Sequence, residues 1–431
     1  MSEVKGDSAA APSRLDVMNF LNEMAEHFPE AVSFASGRPA GQFFELQRWI
    51  DQLPRFAGYF AGTRQAELPS VLSLLAQYGS TNGIINDLVA RQVNTDDGMH
   101  CSGKQILVTA GCQEAMELCV KLLCQDKKNA ILVRSPTYIG ITGVAALNGV
   151  SIVPFNCNEA TPFLTALRIG VAEAEQRGLR PRVLYLVPDF DNPTGDVLSR
   201  EIRQQTLAFC ASKHILILED NPYGMFRYDG ERISSMFSLD SYGCVIYLGT
   251  YSKTLCPALR VGFAIVPEHL FGSAAGAARL LAELSQAKSF MTVNTSQIAQ
   301  AIVGAILLSE ECSLQRLVRA PTAHYRENRN TMLAALKGQF GEPGDSMSWN
   351  TPAGGFFLTI SLPFDFKHRE AEICARDYGV LTMPLAFFSF DTLQDRKVRL
   401  AFSNVSRTSI ATGIERFGAY VKDRIAHGHA A

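Results

Sequence analysis

Lys253 lies just past a β-branched and apolar run over residues 244–248, after the small hydroxylated turn Gly249-Thr-Tyr-Ser252. A lysine at the end of a buried strand can lose its proton to desolvation or to nearby positive charge, and its neutral amine is a nucleophile toward a carbonyl. Most loop lysines are simply solvated, so the residue needs company to mean more. Four other stretches offer it. Thr109-Ala-Gly111-Cys112-Gln113-Glu114 is a small, glycine-containing turn before a helical segment, and backbone N–H groups at a helix start suit a phosphate. It also reads as an ordinary strand-to-helix loop. Tyr138, fixed behind Ser135-Pro-Thr137, can stack on a flat ring or fill a core. Asn192 precedes Pro193, which holds its backbone extended and aims its amide, although turns use the same residues. Glu219-Asp220-Asn-Pro-Tyr223 ends another apolar run, where a carboxylate is costly unless a cation or hydrogen-bond donor meets it. A pyridinium nitrogen is one such cation.

These loops require a scaffold that brings them together. Strands are expected over 105–108, 130–133, 151–155, 183–187, 215–218, 244–248 and 262–266, with helices such as 114–124 and 200–213 between most of them. That alternation predicts an α/β fold, its large domain a mostly parallel seven-stranded sheet covered by helices on both faces. Loops that follow strands of one parallel sheet meet along one edge. A phosphate cradle, a ring-stacking aromatic, an aimed amide, a carboxylate and a lysine together match pyridoxal 5'-phosphate, which has a phosphate, a ring, a phenolic oxygen, a ring nitrogen and an aldehyde.

The rest of the chain divides around that domain. Residues 1–13 read as a flexible lead-in, 14–52 as the N-terminal part of a smaller α+β domain, 53–309 as the cofactor domain and 310–431 as the C-terminal part of the smaller one. Leu15, Met18, Leu21 and Met24 recur at helical spacing. Residues 53–103 read as irregular apart from a helix over 84–92, and long helical tracts are expected over 273–309 and 312–338. At 431 residues the chain is long enough for two lobes, and 47% hydrophobic with 19% charged residues is globular. Lys+Arg 40 against Asp+Glu 42 argues against a protein that grips nucleic acid. No run approaches the roughly 18 apolar residues of a membrane span. Ten scattered cysteines without a Cys-x-x-Cys pair, behind an N-terminus with no apolar leader, suggest a reduced, cytoplasmic protein. No histidine–carboxylate cluster suggests a metal, and His427-Gly-His429 reads as a frayed tail.

Taken as a set, from about Ala31 to about Phe402, the motifs resemble the fold-type I, class I/II aminotransferases, in the aminoadipate and kynurenine aminotransferase branch. The resemblance implies that Lys253 carries the Schiff base and moves the Cα proton. It implies that Thr250, Ser252 and Arg260 hold the phosphate with the Gly111-Cys112-Gln113 turn. Asp220, 33 residues before the lysine, would sit on the pyridine nitrogen. Tyr223 and Asn192 would bond the phenolic oxygen, and Tyr138 would stack on the ring. Tyr78 resembles the tyrosine that reaches the neighbouring subunit's phosphate, which implies a homodimer. Lys397-Val-Arg399 resembles the strand whose arginine grips the substrate α-carboxylate, and a planar guanidinium matches a carboxylate at two points. Thr351-Pro-Ala-Gly-Gly-Phe-Phe357 resembles the strand beside it, and Ser36-Gly37-Arg38-Pro the loop that covers the substrate.

The departures lie on the substrate side. Asp191 stands before Asn192 where the branch has Gln, Met383-Pro-Leu replaces Pro-Gly, and Arg38 appears in the covering loop; nearer the cofactor, Cys112 replaces a common Ser. Three functions follow. One is an aminotransferase turning an L-amino acid into a 2-oxo acid. Another is an enzyme of a specialised biosynthetic pathway that diverts the same Cα carbanion to elimination, carbon–carbon bond formation or oxidation. The third is a cofactor-binding regulator without turnover, disfavoured because the segment before Arg14 is too short for a winged helix.

Overall fold

The structure, a computed structural model, describes residues 24 and 26–428. The helix expected around Leu15, Met18 and Leu21 lies outside the described residues, as does His429. The strands are β1 (Val32–Ser33), β2 (Ile106–Thr109), β3 (Asn129–Arg134), β4 (Ser151–Phe155), β5 (Arg180–Leu186), β6 (Leu216–Asp220), β7 (Val245–Thr250), β8 (Gly262–Ile265), β9 (Ser348–Trp349), β10 (Phe357–Ser361), β11 (Val380–Leu381), β12 (Met383–Pro384) and β13 (Lys397–Ala401).

The seven runs expected as strands form one seven-stranded sheet in the order β2-β8-β7-β6-β5-β3-β4. Strand β8 is antiparallel to both neighbours and the remaining pairings are parallel. The strands β2, β3, β5, β6 and β7 therefore deliver their C-terminal ends to one edge. Alternate residues serve opposite faces, as a period of two demands. Leu107, Ile131, Val133, Tyr185, Leu218 and Leu248 belong to one core, while Ala130, Leu132, Leu184, Ile217 and Val245 belong to another. Cover on both faces explains why these strands read as unbroken apolar runs.

Two expectations change. Residues 53–103 are largely helical, with helices over Leu53–Arg64, Leu68–Leu75 and Asn86–Asp97. Gly58 and Gly62 lower the helix propensity of the first, but Phe56, Ala57 and Phe60 line its buried face, and packing outweighs propensity. Pro54 and Pro69 sit in the first turns, where a missing N–H costs nothing. The tract over 273–309 is two helices, Ala274–Met291 and Gln297–Ser309. The break falls at Val293, with φ of 64°, and Ser296 caps the second helix by accepting from the Ala299 N–H.

A second, four-stranded sheet runs β12-β13-β10-β9, and β1 pairs in parallel with β11. The Phe34 N–H donates to the Leu381 carbonyl at 2.8 Å, and the Ala401 N–H to the Phe34 carbonyl at 2.7 Å. The chain beyond β1 is thus laid beside β13, which brings Gly37 and Arg38 toward Arg399. Among the described residues no helix is long and apolar enough to cross a membrane.

Candidate active site

Asp220 is the last residue of β6 and only 4% exposed. Its Oδ2 accepts from the Tyr185 hydroxyl at 2.7 Å, and its Oδ1 from the Cys112 thiol at 3.3 Å. Burial holds the carboxyl's pKa above its ordinary value, and these two donors and the nearby Lys253 limit the rise. The carboxylate is pre-set to meet a cation.

Gly111 precedes the helix Cys112–Leu123 with φ of 82° and ψ of 167°, a conformation nearly confined to glycine. The first N–H groups of a helix have no carbonyl four residues back, so those of Cys112 and Gln113 remain free for an anion. Gly262, opposite, must be glycine: a Cβ there would lie 2.6 Å from the Cys112 nitrogen. Arg260 crosses the same turn, donating to Ser252 Oγ at 3.2 Å and to the Ala110 carbonyl at 3.4 Å. Thr250 Oγ1 accepts from the Ser252 N–H at 3.1 Å. Beneath the turn, Glu114 accepts from the Ala110 N–H at 2.6 Å and pairs with the fully buried Lys288 at 3.3 Å.

Lys253 follows β7, and its Nζ donates to the Gly37 carbonyl at 3.1 Å. Burial, then the Arg399 guanidinium, brings its pKa down to about 8, with Arg260 and Arg38 adding to the effect and Asp220 opposing it. Arg399 reaches across from β13. Its Nη1 donates to Asn192 Oδ1 at 2.7 Å and its Nη2 to the Ala35 carbonyl, while Phe357 and Phe388 lie 4.3 and 4.9 Å from the guanidinium carbon. Desolvation lowers its pKa to about 10, and among the described residues its buried Nε has no hydrogen-bond partner. Committing the Asn192 oxygen to Arg399 leaves the amide NH2 as a donor, which a phenolic oxygen requires. Tyr223 is buried edge-on to Phe356 and Phe357, with centroids 5.2 and 5.7 Å away. Tyr138 precedes the helix Ile139–Leu147, its ring so close to Gly140 that a Cβ there would overlap it at 2.2 Å.

The structure thus gathers Gly111, Cys112, Tyr138, Asn192, Asp220, Tyr223, Thr250, Ser252, Lys253, Arg260, Arg399 and Gly37. Gln113 faces outward and donates to the Gly140 carbonyl at 3.4 Å. Arg38 has its carbonyl held by the Ser403 hydroxyl at 2.6 Å and its side chain exposed. Tyr78 is 82% exposed and does not join the site of its own chain. Two participants escaped the sequence reading. Tyr185 is the one hydroxyl in the buried part of β5, and Lys288 is a buried charge in the helix Ala274–Met291; neither carries a local signal that names its partner.

These residues fit pyridoxal phosphate. A Cβ at Gly111 would fill the cradle and strike Arg260 at 2.3 Å, the Asp220 carboxylate is buried awaiting a cation, and Arg399 Nε awaits an acceptor.

Known proteins resemble this chain over most of its length. Residues 33–417 match the family model described as aminotransferase class I and II. The chain is 34% identical to a (S)-3,5-dihydroxyphenylglycine transaminase of Amycolatopsis orientalis, covering 95% of this chain and 92% of that protein. It is 29% identical to a 2-aminoadipate transaminase of Thermus thermophilus, over 92% of each. Among solved structures it resembles the Thermus α-aminoadipate aminotransferase complexed with N-(5'-phosphopyridoxyl)-L-leucine, with a TM-score of 0.75 and 27% identity over 94% of this chain and 95% of that one. A kynurenine aminotransferase of Pyrococcus horikoshii shares the fold, with a TM-score of 0.81 at 23% identity over 97% and 96% of the two chains.

Proposed function

The chain belongs to the class I and II aminotransferases, and from that premise we propose a role for each residue of the site. As a member it is a pyridoxal-phosphate-dependent transferase acting on a small-molecule amino acid. The cofactor, when bound, supplies an aldehyde and a protonated ring that accepts the electron pair left at Cα. The Gly111–Gln113 turn, Thr250, Ser252 and Arg260 hold its phosphate. Asp220 holds its ring nitrogen, Asn192 and Tyr223 its phenolic oxygen, and Tyr138 its ring face.

Arg399 docks the substrate α-carboxylate, offering donors already fixed by Asn192 and Ala35. Lys253, with its pKa near 8, supplies a neutral amine at modest alkalinity and takes the Cα proton on Nζ. Gly37 and Phe357 exclude water there, since a Cβ on Gly37 would already lie 2.4 Å from the Phe357 ring. The product is a 2-oxo acid. The observation that carries this reading is a half-buried lysine, its Nζ on the Gly37 carbonyl, placed between a doubly hydrogen-bonded aspartate and a buried arginine.

On the substrate side, an aromatic side chain with a polar substituent fits best. Ile139, Met383 and Phe388 form one apolar cluster beside Arg399, and Arg38 stands exposed at the opening. The dihydroxyphenylglycine named for the Amycolatopsis relative is the first candidate, and 2-aminoadipate the second. A homodimer is supported by Phe290, 85% exposed, and by Tyr78, which would reach the neighbouring subunit's phosphate. All ten cysteines are free, consistent with the cytoplasm.

The test is to mix the loaded protein with a panel of L-amino acids, following the pyridoxamine absorbance and the products by mass. Amine transfer with the arylglycine ahead of aliphatic acids is expected. Ammonia release, or no aminated cofactor with any donor, refutes the reading. Borohydride should fix the cofactor to Lys253, and an adduct on another lysine would remove it from its role.

A further inference from the structure

Cys112 links the Gly111 turn to Asp220. Its backbone N–H belongs to the phosphate turn, being the first of the helix Cys112–Leu123. Its thiol lies 3.3 Å from Asp220 Oδ1, the oxygen that Tyr185 leaves uncovered. Strand β8 locks the turn from behind, where Gly262 has no room for a Cβ against the Cys112 nitrogen. The backbone that carries the thiol is therefore fixed beside Asp220.

We infer that Cys112 is a positioning residue: its thiol helps keep the Asp220 carboxylate ionised and fixed in its plane, and joins the phosphate turn to the ring-nitrogen partner. The groups that face Asp220 are few. Tyr185 comes from β5, Cys112 from the helix, and Lys253 from the turn after β7. Tyr138, Tyr223 and Tyr247 lie near enough for the carboxylate's field to raise their hydroxyl pKa values. Only Tyr185 and Cys112 donate side-chain hydrogen bonds to it among the described residues. A buried carboxylate with one donor in place of two takes up a proton at higher pH, because the charged form loses a partner and the neutral form does not. A protonated Asp220 no longer favours a protonated ring nitrogen. This rests on the cofactor assignment proposed above.

The experiment compares wild-type apo-protein with Cys112→Ser, Cys112→Ala and Cys112→Val. The readout is the dissociation constant for pyridoxal phosphate, measured by protein fluorescence between about pH 5.5 and 8.5. Alanine shrinks the side chain and valine fills the space without a donor, so the pair separates hydrogen bonding from packing. Both are expected to weaken binding by roughly tenfold at the acid end and less at the alkaline end. Serine, which keeps a donor, should follow the wild-type profile. A uniform loss across the pH range would make the thiol a packing group and overturn the inference, as would serine behaving like alanine. If the wild type itself bound no pyridoxal phosphate, the cofactor assignment would fall and this inference with it.

Discussion

Replacing Gly111 by alanine separates the phosphate cradle from the rest of the site. Gly111 has φ of 82° and ψ of 167°, where a side chain costs about 1–3 kcal/mol of backbone strain. The new Cβ would lie 2.3 Å from Arg260 Nη2 and 2.8 Å from its Cζ. The guanidinium is the flexible end of a long side chain, so it yields, and its bonds to Ser252 and to the Ala110 carbonyl go with it. A charge-assisted contact to phosphate is worth about 1.5–3 kcal/mol, so pyridoxal phosphate should bind roughly 10- to 100-fold more weakly. Unphosphorylated pyridoxal never used that contact, and its affinity should barely move. Equilibrium titration of both ligands against wild type and Gly111→Ala, with a thermal melt to register the strain, makes the comparison. Equal losses for the two ligands would mean that the substitution disturbs the whole site and that Arg260 does not hold the phosphate.

Four other outcomes are expected. Tyr185→Phe keeps the ring but removes a 2.7 Å bond to a buried carboxylate, which should weaken cofactor binding by roughly tenfold or more, and titration of the apo-protein checks it. Lys288→Met strands Glu114 without its cation and should cost about 3–5 kcal/mol in urea unfolding, whereas adding Glu114→Gln should recover much of that loss. Because only the neutral Lys253 amine attacks an aldehyde, the rate of cofactor capture by apo-protein should climb with pH until about 8 and then level off; a rate flat across neutrality would contradict the lowered pKa. If the proposed homodimer forms, Phe290→Asp should shift it toward monomer in sedimentation, since a charge would replace the most exposed large apolar side chain among the described residues.

The sheet was legible because each strand is covered on both faces and so reads as an isolated apolar run between turn residues. The loops at the strand ends were legible for a related reason: Gly111, Asn192-Pro193 and Asn221-Pro222 mark backbone that departs from regular structure where chemistry is done. Tyr185 was not legible. It acts on Asp220 through the register of β5 on β6, in which it stands opposite Leu218, and no local sequence states a register. Lys288 finds Glu114 174 residues away, which periodicity cannot reveal. The helices over 53–75 were obscured by their glycines and prolines, since their stability comes from packing by residues such as Phe56 and Phe60. The break at 292–296 carried its own signal in Ser296, masked by apolar residues on either side.

The two ends of the site are built by different means. The cofactor end is set by backbone, through the Gly111 turn, a helix start and the ends of β6 and β7, and backbone changes little when side chains are exchanged. The substrate end is assembled from three hydrogen bonds that link distant segments, Arg399 to Asn192, Lys253 to the Gly37 carbonyl and Ser403 to the Arg38 carbonyl. Arg399 bears the cost of this arrangement: it is buried, its pKa is drawn down to about 10, and its Nε lacks a partner among the described residues. On the proposed role of Arg399, a carboxylate arriving there would restore what burial removed, so part of the substrate's binding energy would be held in advance as an incompletely satisfied cation. On the proposed reading, the exposed Arg38 and the apolar cluster of Ile139, Met383 and Phe388 are left to the substrate side chain. On that reading Arg38 is the position where selectivity can change with least disturbance, because Phe388 also packs on the Arg399 guanidinium at 4.9 Å.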